Sequence, residues 1–412
     1  MLLESRRDRG LLVIAAFAAL TLLGFLLARG VLRELPGVNS YGALADAFLH
    51  GRLFVETCPE IDCALFNGKT YIIFPPLPAL LAMPFVAMFG FGAFKGFILL
   101  ALVISCFSLV IWNRIFRTLD IMPSERLWLL LALAFASPLF QVTLRADGVW
   151  FFAQTLGFLM MSLSIWAVVC RNSLALAGLF VALAFLCRQM AIFYPLFLVF
   201  LAMNLTDPDR RKPFLESAGN LVKPVLLAAI PVLAALALIF AYNWARFGNP
   251  LDTGYAYIHN PGIESFIGRR IADLGLFSRD YALFNMLYLF VQGVHFEFTG
   301  PHLTKLTGLD KAGVALVVAS PWLLLACYSR FDRVFAAGAA VITVIAGITL
   351  FYHSNGADQI NAQRYVLDWL PILIVLMLRG ERPAAFAALP LLVTWGVVTN
   401  AVVVVLAAAY RL

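Results

Sequence analysis

The chain has 412 residues, of which 62% are hydrophobic and only 13% charged. That balance excludes an ordinary soluble domain, and the formal charge of +7 is not the footprint of a nucleic-acid binder, because its basic residues sit mostly in short connections between apolar runs. Many of those runs approach the length a bilayer requires, so the fold class expected is an all-α polytopic membrane protein with about eleven spans.

Arg6, Arg7 and Arg9 precede the first apolar run and predict a cytoplasmic N-terminus, with residues 11–28 as a retained first span. A large outer loop, about residues 30–93, follows. In it Tyr41, Leu44, Ala45, Phe48 and Leu49 recur at helical spacing, with Asn39, Asp46 and His50 on the opposite face. This pattern predicts a helix lying on the membrane with its polar strip turned away from lipid. Cys58 and Cys63 lie together in the same loop and form a disulfide if it faces an oxidising compartment. The other four cysteines lie in or beside apolar runs and read as small core residues. Asn67-Gly68 between apolar runs is a hairpin signal, since both turn positions need φ > 0. Pro75, Pro76 and Pro78 stop the strand and open a short or re-entrant helix at residues 77–89.

Further spans are expected at 94–112, 127–140 and 149–170, with Arg145 and Asp147 in the outer loop before the last of these. Residues 174–205 are apolar except for Arg188-Gln189 in the middle. One continuous span would strand Arg188 in lipid, so two short helices meeting at an outer hairpin are expected. Arg210, Arg211 and Lys212 then return the chain to the cytoplasm. A span at 224–244 leads into a second large outer loop, about 246–311, in which Ile263 to Leu274 and Tyr281 to Phe290 read as interfacial helices. Its Arg269-Arg270 pair suits lipid headgroups. The remaining spans are expected at 312–328, 334–352, 365–378 and 383–408, which leaves the C-terminus outside. No repeat or soluble domain interrupts the chain, so residues 1–412 read as one transmembrane domain.

Three stretches carry a resemblance. The first loop reads Tyr41, Leu44-Ala45-Asp46-Ala47, Gly51-Arg52, Asn67-Gly68-Lys69 with Tyr71, then Phe74-Pro75-Pro76 with Pro78-Ala79. Later come Tyr242-Asn243-Trp244-Ala245-Arg246-Phe247-Gly248-Asn249-Pro250 and Gln363-Arg364-Tyr365-Val366-Leu367-Asp368. In this order they resemble bacterial members of the GT-C superfamily of membrane glycosyltransferases, relatives of the protein mannosyltransferases. The resemblance implies transfer of a sugar from a polyprenyl-phosphate-linked donor to a glycan or lipid acceptor, outside the cytoplasm at the bacterial inner membrane. It also makes a divalent metal compatible with the site, although no cluster of acids demands one.

Such a transfer needs a base for the acceptor hydroxyl and cations for the departing phosphate. Relatives commonly carry an acid just before the tyrosine of the first loop, where this chain has Val38 and Asn39. An amide cannot serve as a base, so Asp46 and Asp147 are the catalytic candidates, expected to line one cavity, with Asn39 and His50, one turn on from Asp46, among the binding residues. Arg188, Arg246 and Arg364 are the phosphate candidates, each at the outer end of an expected span, and Tyr365 accompanies the last. A flippase of lipid-linked saccharide and a non-catalytic binder of such a lipid are the alternatives.

Overall fold

A computed structural model describes residues 6–206, 222–258, 266–355, 359, 361–380 and 384–410. The expectations at Arg210–Lys212, at Ile263 and at Arg382–Pro383 lie outside these residues.

The helices are α1 (Arg6–Arg33), α2 (Ser40–Leu49), α3 (Leu77–Phe89), α4 (Phe97–Thr118), α5 (Pro123–Phe135), α6 (Pro138–Leu144), α7 (Val149–Arg171), α8 (Leu174–Phe185) and α9 (Tyr194–Thr206). They continue with α10 (Val222–Phe247), α11 (Phe266–Leu274), α12 (Ala282–Phe290), α13 (Leu316–Ala319), α14 (Arg333–Leu350), α15 (Leu370–Leu378) and α16 (Leu389–Tyr410). Two hairpins, β1–β2 (Cys63–Phe66 with Lys69–Ile72) and β3–β4 (Phe296–Thr299 with Lys305–Leu309), are the sheets among the described residues. Five described stretches are long and apolar enough to cross a bilayer: α4, α7, α10, α14 and Phe386–Ala409. The α5–α6 pair would add a sixth as a broken span. The protein is thus a helical, polytopic membrane protein.

The chain divides into two compact units. One comprises Gly30–Ile115 and Val142–Ile263, the other Met1–Arg29, Phe116–Gln141 and Glu264–Leu412.

In the first unit the local signals are met closely. Asn67 (φ 50°) and Gly68 (φ 72°) make the turn of β1–β2, with Phe66 opposite Lys69 and Cys63 opposite Ile72. The helix α3 occupies the expected residues, with a proline in its first turn. The expected break at Arg188 separates α8 from α9, bridged by a 3₁₀ turn at Gln189–Phe193. The helices α8 and α10 approach backbone to backbone. A Cβ on Gly178 would lie 2.2 Å from the Ala228 carbonyl oxygen, so only glycine fits. One expectation is corrected: the face of α2 assigned to lipid is covered by protein. Residues Ser40–Ala45 and Ala47 are all buried, because other protein covers the face assigned to lipid as well as part of the polar strip.

In the second unit, α5 and α6 bend by 46° at Ser137-Pro138, where one continuous span was expected. The span expected at 312–328 is instead the short α13 followed by a 3₁₀ run, Pro321–Tyr328. A proline there removes a helical hydrogen bond and clashes with the preceding turn. The span expected at 365–378 begins as a 3₁₀ turn, Arg364–Asp368, and becomes α-helical only at Leu370, with Pro371 in its first turn. Of the four free cysteines only Cys187 is buried, and Cys106 and Cys327 are exposed.

Candidate functional site

Three helices of the first unit, α2, α4 and α7, begin with polar side chains arranged around one another. Each helix start leaves backbone N–H groups without intrahelical partners, and each here is met by an oxygen. Glu34, directly after α1, is 6% exposed and accepts from the N–H groups of Gly96 (2.8 Å), Phe97 (2.7 Å) and Ile98 (3.2 Å) at the start of α4. Asn39 caps α2, its Oδ1 accepting from Tyr41 N at 2.8 Å. Its Nδ2 donates to the backbone oxygen of Asp147, also at 2.8 Å. Glu60 serves two helices: Oε2 accepts from Ser40 N (2.6 Å) in α2, and Oε1 from Val149 N (3.0 Å), the first residue of α7.

The segment that presents Glu60 is closed by the disulfide expected from the sequence. Cys58 and Cys63 are bonded, their Cα atoms 6.0 Å apart. Inside the same small ring Asp62 adopts φ 66° and accepts from Trp150 Nε1 at 3.2 Å.

Burial pushes the carboxyls of Glu34 and Glu60 above the ordinary range. The hydrogen bonds from backbone N–H groups oppose this in both, and the negative charge of Asp147 adds to it in both. Asp147, half-buried, therefore stands within electrostatic reach of two other acids. The ring of Tyr41 is wholly buried against Phe74 and Phe152, and its hydroxyl lies within electrostatic reach of both Arg188 and Glu60. The stem of Arg188 crosses α7 at Gly157, where a Cβ would come 2.5 Å from Arg188 Cγ. Asn39, Glu60 and Asp147 thus meet at the starts of α2 and α7, and Tyr41 lies between Glu60 on one side and Arg188 on the other in electrostatic reach.

Other expected site residues lie elsewhere. Asp46 is on the last turn of α2, seven residues beyond the cap and therefore about 10 Å further along the helix axis. There it is half-exposed, 3.6 Å from Arg52 Nη2 and 3.7 Å from His50 Nδ1, and Arg52 also pairs with Glu56 at 2.8 Å. His50 is exposed.

Arg246, one of the phosphate candidates, has its guanidinium engaged within the protein. It is 5% exposed, donates to Ile72 O and Asn243 Oδ1 (both 2.8 Å), and stacks 3.8 Å from the Tyr242 ring centroid. Asn243 in turn donates to Pro250 O (3.1 Å), and Gly248 turns the chain at φ 71°. The Tyr242–Pro250 motif therefore builds the end of α10 and fastens the β1–β2 hairpin to it, through an aromatic cluster of Phe66, Tyr71, Phe247 and Tyr257.

Arg364 and Tyr365 belong to the second unit. Both are buried, with Arg364 Nη2 donating to Tyr365 Oη (3.2 Å) and Tyr365 Oη to Ser354 Oγ (3.1 Å). In that unit Arg270, expected with Arg269 at lipid headgroups, is half-buried. Its Nη1 donates to His353 O and Asn355 O (2.9 Å each), while Arg269 is exposed. No three His, Cys, Asp or Glu side chains among the described residues are gathered so as to hold a metal ion, and no step below runs through one.

The sequence pattern alone did not single out Glu60. The available signal was its place between two cysteines in the most polar loop. Glu34 carried no local signal.

No family model and no curated protein matches the chain. Among solved structures it is similar to ArnT from Cupriavidus metallidurans bound to undecaprenyl phosphate, at 14% identity and a TM-score of 0.49, covering 92% of this chain and 62% of that one. The same protein in the apo state gives 14% identity and 0.48, covering 93% and 62%. The chain thus spans less than two thirds of the length of that protein, and a likeness of this degree assigns no residue a role.

Proposed function

We propose that the chain is a membrane glycosyltransferase that moves a sugar from a polyprenyl-phosphate-linked donor to a cell-envelope acceptor, on the extracytoplasmic side of a bacterial inner membrane. The observation that carries this reading is the placing of Asp147 beside two further acids, Glu34 and Glu60, at the starts of α2, α4 and α7. It is supported by the three sequence stretches that resemble the GT-C superfamily.

In this reading the Asp147 carboxylate takes the proton of the acceptor hydroxyl. The acceptor oxygen bonds to the anomeric carbon of the sugar, and the bond from that carbon to the phosphate oxygen breaks. Its electron pair leaves with the polyprenyl phosphate, whose charge the Arg188 fork offsets. Asn39 cannot serve as the base, and in this reading Asp147, whose backbone oxygen Asn39 holds at 2.8 Å, takes that part.

The test is transfer in vesicles supplied with a polyprenyl-phosphate-linked sugar. Asp147→Asn is expected to slow transfer by ~10²–10⁴-fold with the protein still folded, and Arg188→Ala to raise the KM for the donor. A normal rate in Asp147→Asn would remove Asp147 as the base. Passage of intact lipid-linked sugar across the bilayer without transfer would establish the flippase alternative instead.

A further inference from the structure

The stretch Asp147–Trp150 is held at three points, each by a different side chain. Asn39 takes the backbone oxygen of Asp147, Glu60 the N–H of Val149, and Asp62 the indole N–H of Trp150. Two of these three side chains sit inside the ring closed by Cys58 and Cys63. Glu60 reaches 20 residues back to Ser40 and 89 forward to Val149, so one carboxylate joins two helix starts that nothing in the local sequence would bring together. An ordinary helix cap serves its own helix from an adjacent position. Glu60 belongs to neither helix, and its reach depends on the covalent ring that carries it.

We propose that Glu60 is a positioning residue for the transfer. Clamped by the Cys58–Cys63 disulfide, it ties the start of α2 to the start of α7 and so holds the Asp147 carboxylate where it must take the acceptor proton. This rests on the glycosyl-transfer reading above. Proton transfer needs heavy atoms within hydrogen-bond reach, and a displacement of about 1 Å at such a group can cost a hundredfold in rate. A single charged group spanning both helix starts limits that displacement. Glu60 also acts on Asp147 through its charge, since two like charges close together make each harder to ionise. The other charged groups near Asp147 are Glu34 from the α1–α2 link, which it reaches electrostatically, and Arg145 two residues before it on its own loop.

The test uses the full chain in vesicles with a polyprenyl-phosphate-linked sugar, comparing wild type, Glu60→Gln and the double variant Cys58→Ala/Cys63→Ala. Glutamine keeps the shape and one acceptor oxygen but loses the charge and the second acceptor. Glu60→Gln is expected to lower kcat by about tenfold or more, because charge-assisted hydrogen bonds are roughly twice as strong as neutral ones, with the donor KM within about twofold. Removing the like charge should also move the acid limb of the rate to lower pH. The amide of Val149 should exchange its hydrogen faster than in wild type. The double cysteine variant should change kcat and exchange in the same direction. If Glu60→Gln does not fold, wild type treated with a dithiol reductant answers the question without a substitution, the expected result being a reversible fall in kcat.

Wild-type kcat and an unmoved acid limb in Glu60→Gln would overturn the proposal. So would a change confined to KM, or an unchanged kcat in the reduced protein. A wild type that transfers no sugar from any such donor refutes the transfer reading itself, whereas a wild type that transfers while Glu60→Gln does so equally well refutes only the positioning role.

Discussion

The Arg246→Ala substitution separates a structural arginine from a phosphate ligand. Arg246 gives two hydrogen bonds of 2.8 Å, to Ile72 O and Asn243 Oδ1, and lies 3.8 Å from the Tyr242 ring centroid. A hydrogen bond from a charged donor contributes about 1.5–3 kcal/mol and a cation–π contact about 0.5–2 kcal/mol. Against this stands the cost of keeping a guanidinium out of water, several kcal/mol, which the truncation gives back. Truncation also leaves the Ile72 carbonyl and the Asn243 amide oxygen without this donor. The net expectation is a loss of about 3 kcal/mol. For a folding unit of roughly 200 residues this corresponds to a fall of about 6–12 °C in Tm. The assay is thermal unfolding in detergent, run beside donor binding. Arg246→Lys keeps the charge but not the fork and should fall between wild type and Arg246→Ala. A Tm unchanged within about 1 °C, together with a tenfold loss of donor affinity, would show the guanidinium serving a ligand and refute this reasoning.

Three further outcomes are expected. Burial, with the nearby Arg270 charge adding to it, pushes His353 down from 6.5 to about 4. The unfolded chain therefore takes up this proton near pH 6.5 while the folded one resists until about 4, so stability falls as pH drops through that window, by up to about 3 kcal/mol. His353→Gln should flatten that part of a Tm–pH profile, and an equally steep profile in the variant would count against the assignment. At the α8–α10 crossing, Gly178→Ala places a Cβ against the Ala228 backbone and should cost about 1–3 kcal/mol, visible as reduced Tm. Asp46→Asn should leave transfer within about threefold of wild type, since an exposed ion pair contributes about 1 kcal/mol or less. A loss as large as that of Asp147→Asn would return Asp46 to the site.

What could be read from the sequence was local. The Asn67-Gly68 turn, the helix after the proline run, the break at Arg188 and the start of α7 at Val149 are set by neighbouring residues, and the structure has them where the residues put them. The disulfide was legible because its cysteines are five apart in a polar loop. The breaks at Pro321 and Pro371 were also local, but strong hydropathy on both sides masked them. The amphipathic face of α2 was real, yet periodicity tells that a face is covered and not whether lipid or protein covers it. The contacts of Arg246 were illegible for a related reason, because an arginine at a span end looks the same in sequence whether it meets headgroups or stacks on a tyrosine. Glu60 was hidden most deeply, since both of its contacts are made across long stretches of chain.

The two units are interleaved along the polypeptide, and this orders their assembly during synthesis. The unit that holds Asp147 and Glu60 ends at Ile263, so all of its residues have been made before the last 149 residues, Glu264–Leu412, follow. The other unit begins with Met1–Arg29 and closes only with that final segment. Most of its first helix is therefore made long before the greater part of its own unit, while the residues of the other unit are completed. A chain that threads back to its beginning in this way carries its slow, long-range step last. Damage to the final segment should then leave α1 without those late partners and expose the chain to quality-control proteases, while the residues of the unit that holds Asp147 and Glu60 are already made.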